Sequence, residues 1–349
     1  MLYYYALLYY NINLKQINTM KKIHLISTLI GLLAFSTLAK ADLKVVTSIK
    51  PIHSLASYIM DGVGSPGLIV DGYNSPHNFQ LKPSHAKMLE QADIIFWVGE
   101  DLENFLEKPL DTIAKKAEKI ELLEIKGIKK LKFRERNIFE EHEGHNDHGH
   151  DANKEEHDDD DDHGHDAKKE EHDDHDDHDD HGHGEYDPHI WLDPINAKVI
   201  LNEITEHLIE NDSKNASTYK SNLAKALAKI DKLIIDVITE TNTDLSYVVF
   251  HDAYQYYENR FNVNILGAMT VNPDVMPGAE QIHEIHEVIE HDNVSCILSE
   301  PQFNPDIIKS IAKDTNVKTG VLDPLGANLK PGKDLYFDLI RNMSTSFNC

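Results

Sequence analysis

From Glu140 to Glu185 the chain carries 22 acidic residues, 12 histidines and three lysines, with almost no apolar side chain among them. Such a segment has nothing to bury, so nothing offsets the entropy lost on ordering it, and it is expected to be disordered. The fold must therefore be assembled from what lies on either side, with residues 140–185 inserted as a loop. The loop contains a 15-residue repeat: "DHGHDANKEEH" from Asp147 returns as "DHGHDAKKEEH" from Asp162. Imidazole beside carboxylate suits zinc, and histidine is available in its neutral form near its ordinary pKa of about 6.5. Its histidines are His142, His145, His148, His150, His157, His163, His165, His172, His175, His178, His181 and His183. They are expected to make several weak, exchangeable metal sites, because a flexible chain loses entropy for each ion it wraps.

The tract supplies -19 of the chain's net charge of -26, so the remainder is only mildly acidic. A chain of this charge with no basic stripe repels phosphate backbones and anionic membrane surfaces, which excludes nucleic acid as a partner and favours cationic ligands. Near the N-terminus Met20 offers a second start, followed by Lys21-Lys22, an apolar run from Leu25 to Leu38 and then Ala39-Lys40-Ala41. This is the layout of a secretory signal, with cleavage expected after Ala41 and residues 1–19 an upstream extension. The alternative, a membrane anchor, is disfavoured because the run is shorter than the ~18 to 20 apolar residues a span needs. No cysteine stands at the cleavage point to take a lipid, so the mature protein is expected to be free in a periplasm. Cys296 and Cys349 are the only cysteines. In an oxidising compartment they suit a disulfide, with two unpaired thiols as the alternative.

Without leader and tract 262 residues remain, enough for two domains or one large one. From Asp42 the short apolar runs "KVVTS", "GLIV" and "IIFWV" read as buried strands, with a helix from His85 to Asp93 before the third. Alternation of this kind argues for parallel sheets with helices outside. After Pro194 the pattern turns helical. Tyr219, Leu223, Leu227, Ile230, Ile234 and Val237 form one stripe at steps of three and four, on a helix starting near Asp212 or Ser213, either of which can cap it. Strand-like runs then resume with "YVVF", "VNILGAM", "SCILS" and "TGVL". The expected architecture is α/β with two lobes, each a parallel sheet flanked by helices, joined by one long linking helix. Residues 42–211 form the first lobe, 212–242 the linking helix and 243–349 the second lobe. Ligand is expected between the lobes near the carboxyl ends of the strands. A packed helix in place of flexible crossovers implies a site largely formed before ligand arrives.

Three histidines end an apolar run or sit in a turn framed by proline and aspartate: His77 in "SPHNFQLKPSH", His189 in "DPHIWLDP" and His251 in "VVFHDAY". Two belong to the first lobe and one to the second, so all can converge on the cleft. These phrases, with "VTSIKP" at Val46, "ADIIFWVGEDLE" at Ala92, "FHDAYQYYE" at Phe250, "EPQFNP" at Glu300 and "LDPLG" at Leu322, resemble the substrate-binding proteins of high-affinity zinc ABC importers, the ZnuA type. The resemblance spans essentially the mature chain and includes the position of the acidic insertion.

The resemblance implies that His77, His189 and His251 are metal ligands, with Asp323 of "LDPLG" or a water as the fourth. Some zinc-binding members use a glutamate just before the first histidine; here that residue is Pro76. Manganese-binding relatives carry a carboxylate at the third histidine's position, so His251 favours zinc, since nitrogen ligands suit zinc and oxygen ligands manganese. The implied role is capture of periplasmic Zn2+ and delivery to an importer permease with its ATPase, by a monomer that is not an enzyme. A zinc hydrolase is the alternative from another class, but no "HExxH" and no evident general base accompany the histidines. An extracytoplasmic zinc buffer or adhesin is the third. His53 is a secondary candidate near the cleft. His283 and His286 read as a solvated helix face, and His85 and His207 as helix-surface residues.

Overall fold

The computed structural model describes residues 42–134, 136–139, 184–271, 273 and 275–349. The leader and the twelve tract histidines lie outside them. Residues Leu43–Cys349 form one compact unit, built on two four-stranded sheets in which every strand pair is parallel.

The first sheet contains β1 (Val45–Ile49), β2 (Gly67–Val70), β3 (Ile94–Trp97) and β4 (Glu118–Glu121), in the order β2-β1-β3-β4. β1 and β3 are buried along their whole length, as continuous apolar runs covered on both faces by helices must be. Helices α1 (Lys50–Ile59), α2 (Pro83–Glu90) and α3 (Glu100–Thr112) connect them. α2 begins two residues before the expected His85, because Pro83 occupies its first turn, where a missing N–H costs nothing. β4 escaped the sequence reading: of its residues "EKIE" only Ile120 is buried.

The second sheet contains β5 (Ser246–His251), β6 (Asn264–Thr270), β7 (Cys296–Ser299) and β8 (Lys318–Val321), in the order β6-β5-β7-β8. It repeats the first sheet's topology, and its strands reverse order between β5 and β7. Between the sheets come α4 (Pro194–Asn211), opened by Asp193, whose carboxylate accepts the Ile195 N–H at 2.8 Å, and α5 (Ala216–Glu240). Helices α6 (Gln255–Phe261), α7 (Ala279–His291), α8 (Asp306–Thr315) and α9 (Leu335–Ser346) complete the fold.

The long helix α5 differs from expectation at its start and on its face. A 3-10 turn at Ser213–Asn215 precedes it, and Asp212 does not cap it but accepts hydrogen bonds from Tyr219 Oη at 2.9 Å and Asn215 Nδ2 at 2.6 Å. The buried line runs through Tyr219, Asn222, Ala226, Ile230, Leu233 and Val237, while Leu223, Leu227 and Ile234 pack on its shoulder. Asn222 is on the buried face because its amide donates to the carbonyls of Ile59 and Asp61, both at 2.9 Å, closing the end of α1. α5 packs on α1, α4 and α9.

One apolar cluster runs from Val45 in β1 to Phe347 beyond α9 without interruption between the sheets. Polar ties cross the same boundary. Trp191 Nε1 donates to the Pro324 carbonyl at 2.8 Å, Tyr336 Oη to the Trp191 carbonyl at 2.9 Å, and Arg260 grips Asp193 through two bonds at 2.7 and 2.8 Å. Cys296 and Cys349 are disulfide-bonded, tying the C-terminal residue to β7. Among the described residues no helix is long and apolar enough to cross a membrane.

Candidate metal centre

His251 is the last residue of β5, at the reversal of strand order where open α/β sheets bind their ligands. His189 follows the turn Asp187-Pro188 and leads into a 3-10 turn, Ile190–Leu192, which is fully buried. His77 sits in the loop between β2 and α2, half-buried, on a backbone turn in which its N–H donates to Ser75 Oγ at 3.2 Å. The fold brings one ligand-type nitrogen from each histidine within 4.8 Å of the others.

The two buried rings carry the clearest geometry. His189 Nε2 and His251 Nε2 face each other at 3.3 Å. Two nitrogens bound to a tetrahedral zinc at ~2.0–2.1 Å would lie about 3.3 Å apart. Behind each ring stands a carboxylate: Asp187 Oδ1 is 2.7 Å from His189 Nδ1, and Glu300 Oε1 is 2.7 Å from His251 Nδ1. A carboxylate there accepts the Nδ1–H, fixes the tautomer and leaves the Nε2 lone pair aimed at its counterpart. Asp187 also accepts the His189 backbone N–H at 2.9 Å, so the ring and its own backbone are held by one oxygen. Asp187 and Glu300 went unnamed in the sequence reading, although they stand inside "DPHIWLDP" and "EPQFNP".

Burial dominates the electrostatics. It pushes the pKa of His189 well down, with the neighbouring His251 adding to the effect. At His251 burial acts in the same direction and is the largest single effect, but the Glu300 carboxylate together with Asp252 and Asp187 outweighs it and the pKa is raised. Desolvation lifts the acids around the site, Asp187 to about 7 and Asp252 to about 6, with Arg134 pulling both down. The cavity between the three rings, also lined by Trp191, Glu300 and Phe303, is only about 10 Å³. That admits something the size of an ion or one water and no organic molecule.

Asp323 is not brought into this group. Its carboxylate accepts backbone N–H bonds from Leu325, Gly326 and Ala327 at 2.6–3.0 Å and the Gln302 amide at 2.9 Å, which folds the loop after β8. His53 lies on α1, buried, its Nδ1 3.4 Å from Ser57 Oγ, with its pKa lowered by desolvation. His85 Nδ1 accepts the Lys82 N–H at 3.2 Å at the start of α2. His283 is exposed on α7 near Glu287 at 3.5 Å, and neither it nor His286 joins a ligand group among the described residues. His207 is more engaged than a surface residue. Its Nδ1 lies 2.8 Å from Glu118 and its Nε2 3.2 Å from Glu203, and Glu118, His207 and Glu210 form a second group of ligand-type side chains.

Two linked parallel sheets with a histidine cluster around an ion-sized cavity at a strand-order reversal have the layout of a two-lobed α/β solute-binding fold, with a donor set that suits a metal ion. The family model described as "Zinc-uptake complex component A periplasmic" matches residues 45–348. The high-affinity zinc uptake system protein ZnuA of Brucella abortus (strain 2308) is 46% identical over 332 residues, covering 94% of this chain and 98% of the relative. The chain belongs to this ZnuA family of zinc-binding components of zinc ABC uptake systems. Among solved structures, a zinc-bound ZnuA lacking its residues 138–173 aligns with a TM-score of 0.64 at 20% identity, covering 87% of this chain and 96% of its own. FpvC of Pseudomonas aeruginosa in complex with Mn2+ aligns with a TM-score of 0.67 at 17% identity, covering 88% and 98%. The same fold thus occurs with either metal.

Proposed function

We propose that His77, His189 and His251 bind one Zn2+ by their imidazole nitrogens and that the protein hands it to the permease of an ABC importer powered by its ATPase. The observation that carries this reading is the 3.3 Å separation of two buried Nε2 atoms whose Nδ1 atoms are each backed by a carboxylate. An all-nitrogen set favours zinc over manganese. Water takes the fourth position, because Asp323 is committed to its loop amides and Pro76 stands where a glutamate ligand would be. It enters from the side of half-buried His77.

Transport is favoured over hydrolysis by the cavity. With about 10 Å³ between the rings there is no room for an ester or peptide beside the ion. The uninterrupted core and the ties across the lobes allow little closure, so the site is preformed and release requires strain from outside, supplied by docking on the permease. The mature protein begins at Asp42 after export to the periplasm, acts as a monomer, and uses the tract as an accessory that gathers zinc weakly. X-ray absorption at the zinc edge tests the ligand set: three imidazole nitrogens and one oxygen at ~2.0–2.1 Å are expected, and a shell dominated by carboxylate oxygen would overturn it.

A further inference from the structure

Residues 131–134 and 136–139 belong by sequence to the first lobe, yet they reach from the first lobe to the second. Their beginning is fastened beside His189. The Leu131 carbonyl accepts the Asp187 N–H at 2.8 Å, and Lys132 forms an antiparallel bridge with Tyr186. Their end is fastened beside the strand that carries His251. Phe139 N–H donates to the Leu266 carbonyl at 2.9 Å, Ala268 N–H donates to the Asn137 carbonyl at 2.8 Å, and Ile138 bridges Gly267 on the free edge of β6. β6 in turn pairs with β5, with Thr270 opposite His251.

The middle of the segment is pinned as well. Arg134 forms ion pairs with Glu258 and, at 3.5 Å, with Asp252, the residue after His251, and its guanidinium stacks 3.8 Å from the Phe139 ring centre. Tyr256 of α6 accepts the Leu131 N–H at 3.0 Å and donates to the Asp187 carbonyl at 2.8 Å, and Gln255 donates to the Lys132 carbonyl at 3.1 Å. β6 is shaped for this contact: a Cβ on Gly267 would lie 2.7 Å from the Asn137 carbonyl oxygen, closer than two such atoms can approach.

We infer that residues 131–134 and 136–139 are an interlobe strap that sets the position of His189 against His251, with Arg134 as its positioning residue, and that the strap governs how fast zinc leaves the site. The inference rests on the three-histidine reading above. Strap and ligands are distinct: none of the strap's described residues lines the cavity, so its effect is exerted through geometry, by holding the Asp187-His189 turn and the β5 terminus in register.

The test uses the full-length chain loaded with zinc, with release followed by transfer to a chromogenic chelator. Gly267→Ala is expected to displace the strap, read as faster amide hydrogen exchange at Phe139 and Ala268, and to speed release at least ten-fold, with the zinc-free protein still folded in a cooperative melt. Arg134→Gln is expected to speed release similarly, with Arg134→Lys restoring most of the difference, which loss of general stability would not produce. Wild-type release rates in a Gly267→Ala protein whose strap amides have become unprotected would overturn the inference. Strap amides that remain protected in that variant would also overturn it, because the close approach would then not hold the strap. Either failure leaves the ligand assignment standing, whereas wild-type zinc binding by His189→Ala would remove that assignment itself.

Discussion

Replacing Asp187 with alanine removes two hydrogen bonds to one residue: the 2.7 Å contact to His189 Nδ1 and the 2.9 Å bond from its backbone N–H. His189 is only 3% exposed, so no solvent replaces them. The freed ring can rotate or hold its proton on Nε2, and either change costs zinc its ligand. Loss of a carboxylate behind a ligating histidine typically weakens metal binding by about 10–100-fold, or about 1.4–2.7 kcal/mol. The fold of the zinc-free protein should suffer less than binding does. Burial raises the Asp187 pKa to about 7, so the carboxylate is itself costly to hold and its removal relieves part of what the lost bonds cost. Asp187→Asn keeps an oxygen acceptor and is expected to retain affinity within a few-fold. Chelator competition measures both variants, with thermal unfolding of the zinc-free proteins alongside. Unchanged zinc affinity in Asp187→Ala, or equal losses in both variants, would refute orientation as the carboxylate's role.

Other consequences follow from single features. Zinc needs neutral imidazoles, and Glu300 raises the pKa of His251 from the ordinary 6.5, so affinity is expected to fall as pH is lowered, beginning above that value; competition titrations between pH 8 and 5.5 would show this. Glu103 is completely buried in the first lobe, and desolvation lifts its pKa from 4.5 to about 7. A raised folded-state pKa gives stability that is complete below the unfolded value and lost as pH climbs through the folded one. The zinc-free protein should therefore lose about 3 kcal/mol from this group between pH 4.5 and 7, and Glu103→Gln should flatten that slope in denaturant unfolding. Cys349→Ser opens a link between residues 53 apart and should lower stability by about 2–4 kcal/mol, with zinc affinity unchanged.

The convergence of His77, His189 and His251 could be read from the sequence because each stands where an apolar strand or a proline-framed turn ends, and such positions collect at the carboxyl ends of parallel strands. Strands such as β1 and β3 could be recognised from their buried apolar runs, whereas β8 could be recognised from "TGVL" although none of its residues is buried. β4 was missed because an edge strand needs only Ile120 buried, and "EKIE" carries no periodic signal. The face of α5 was read slightly rotated because hydrophobicity alone selects Leu223 and Leu227 over Asn222, whose burial depends on two carbonyls 161 and 163 residues away. Asp323 stands outside the histidine group because an aspartate before proline and glycine can serve as a ligand or as an acceptor for loop amides, and here it accepts the loop amides. Arg134 gave no signal at all: its partner Glu258 lies 124 residues away, and beside a tract this acidic an arginine reads as a solvated charge.

The most direct measurement is zinc binding by chelator competition on mature protein lacking residues 140–185. One tightly held ion that survives the deletion and disappears with His189→Ala is the predicted result. Loss of tight binding on removing the tract, with the three histidines intact, would contradict the account and make the tract the principal site.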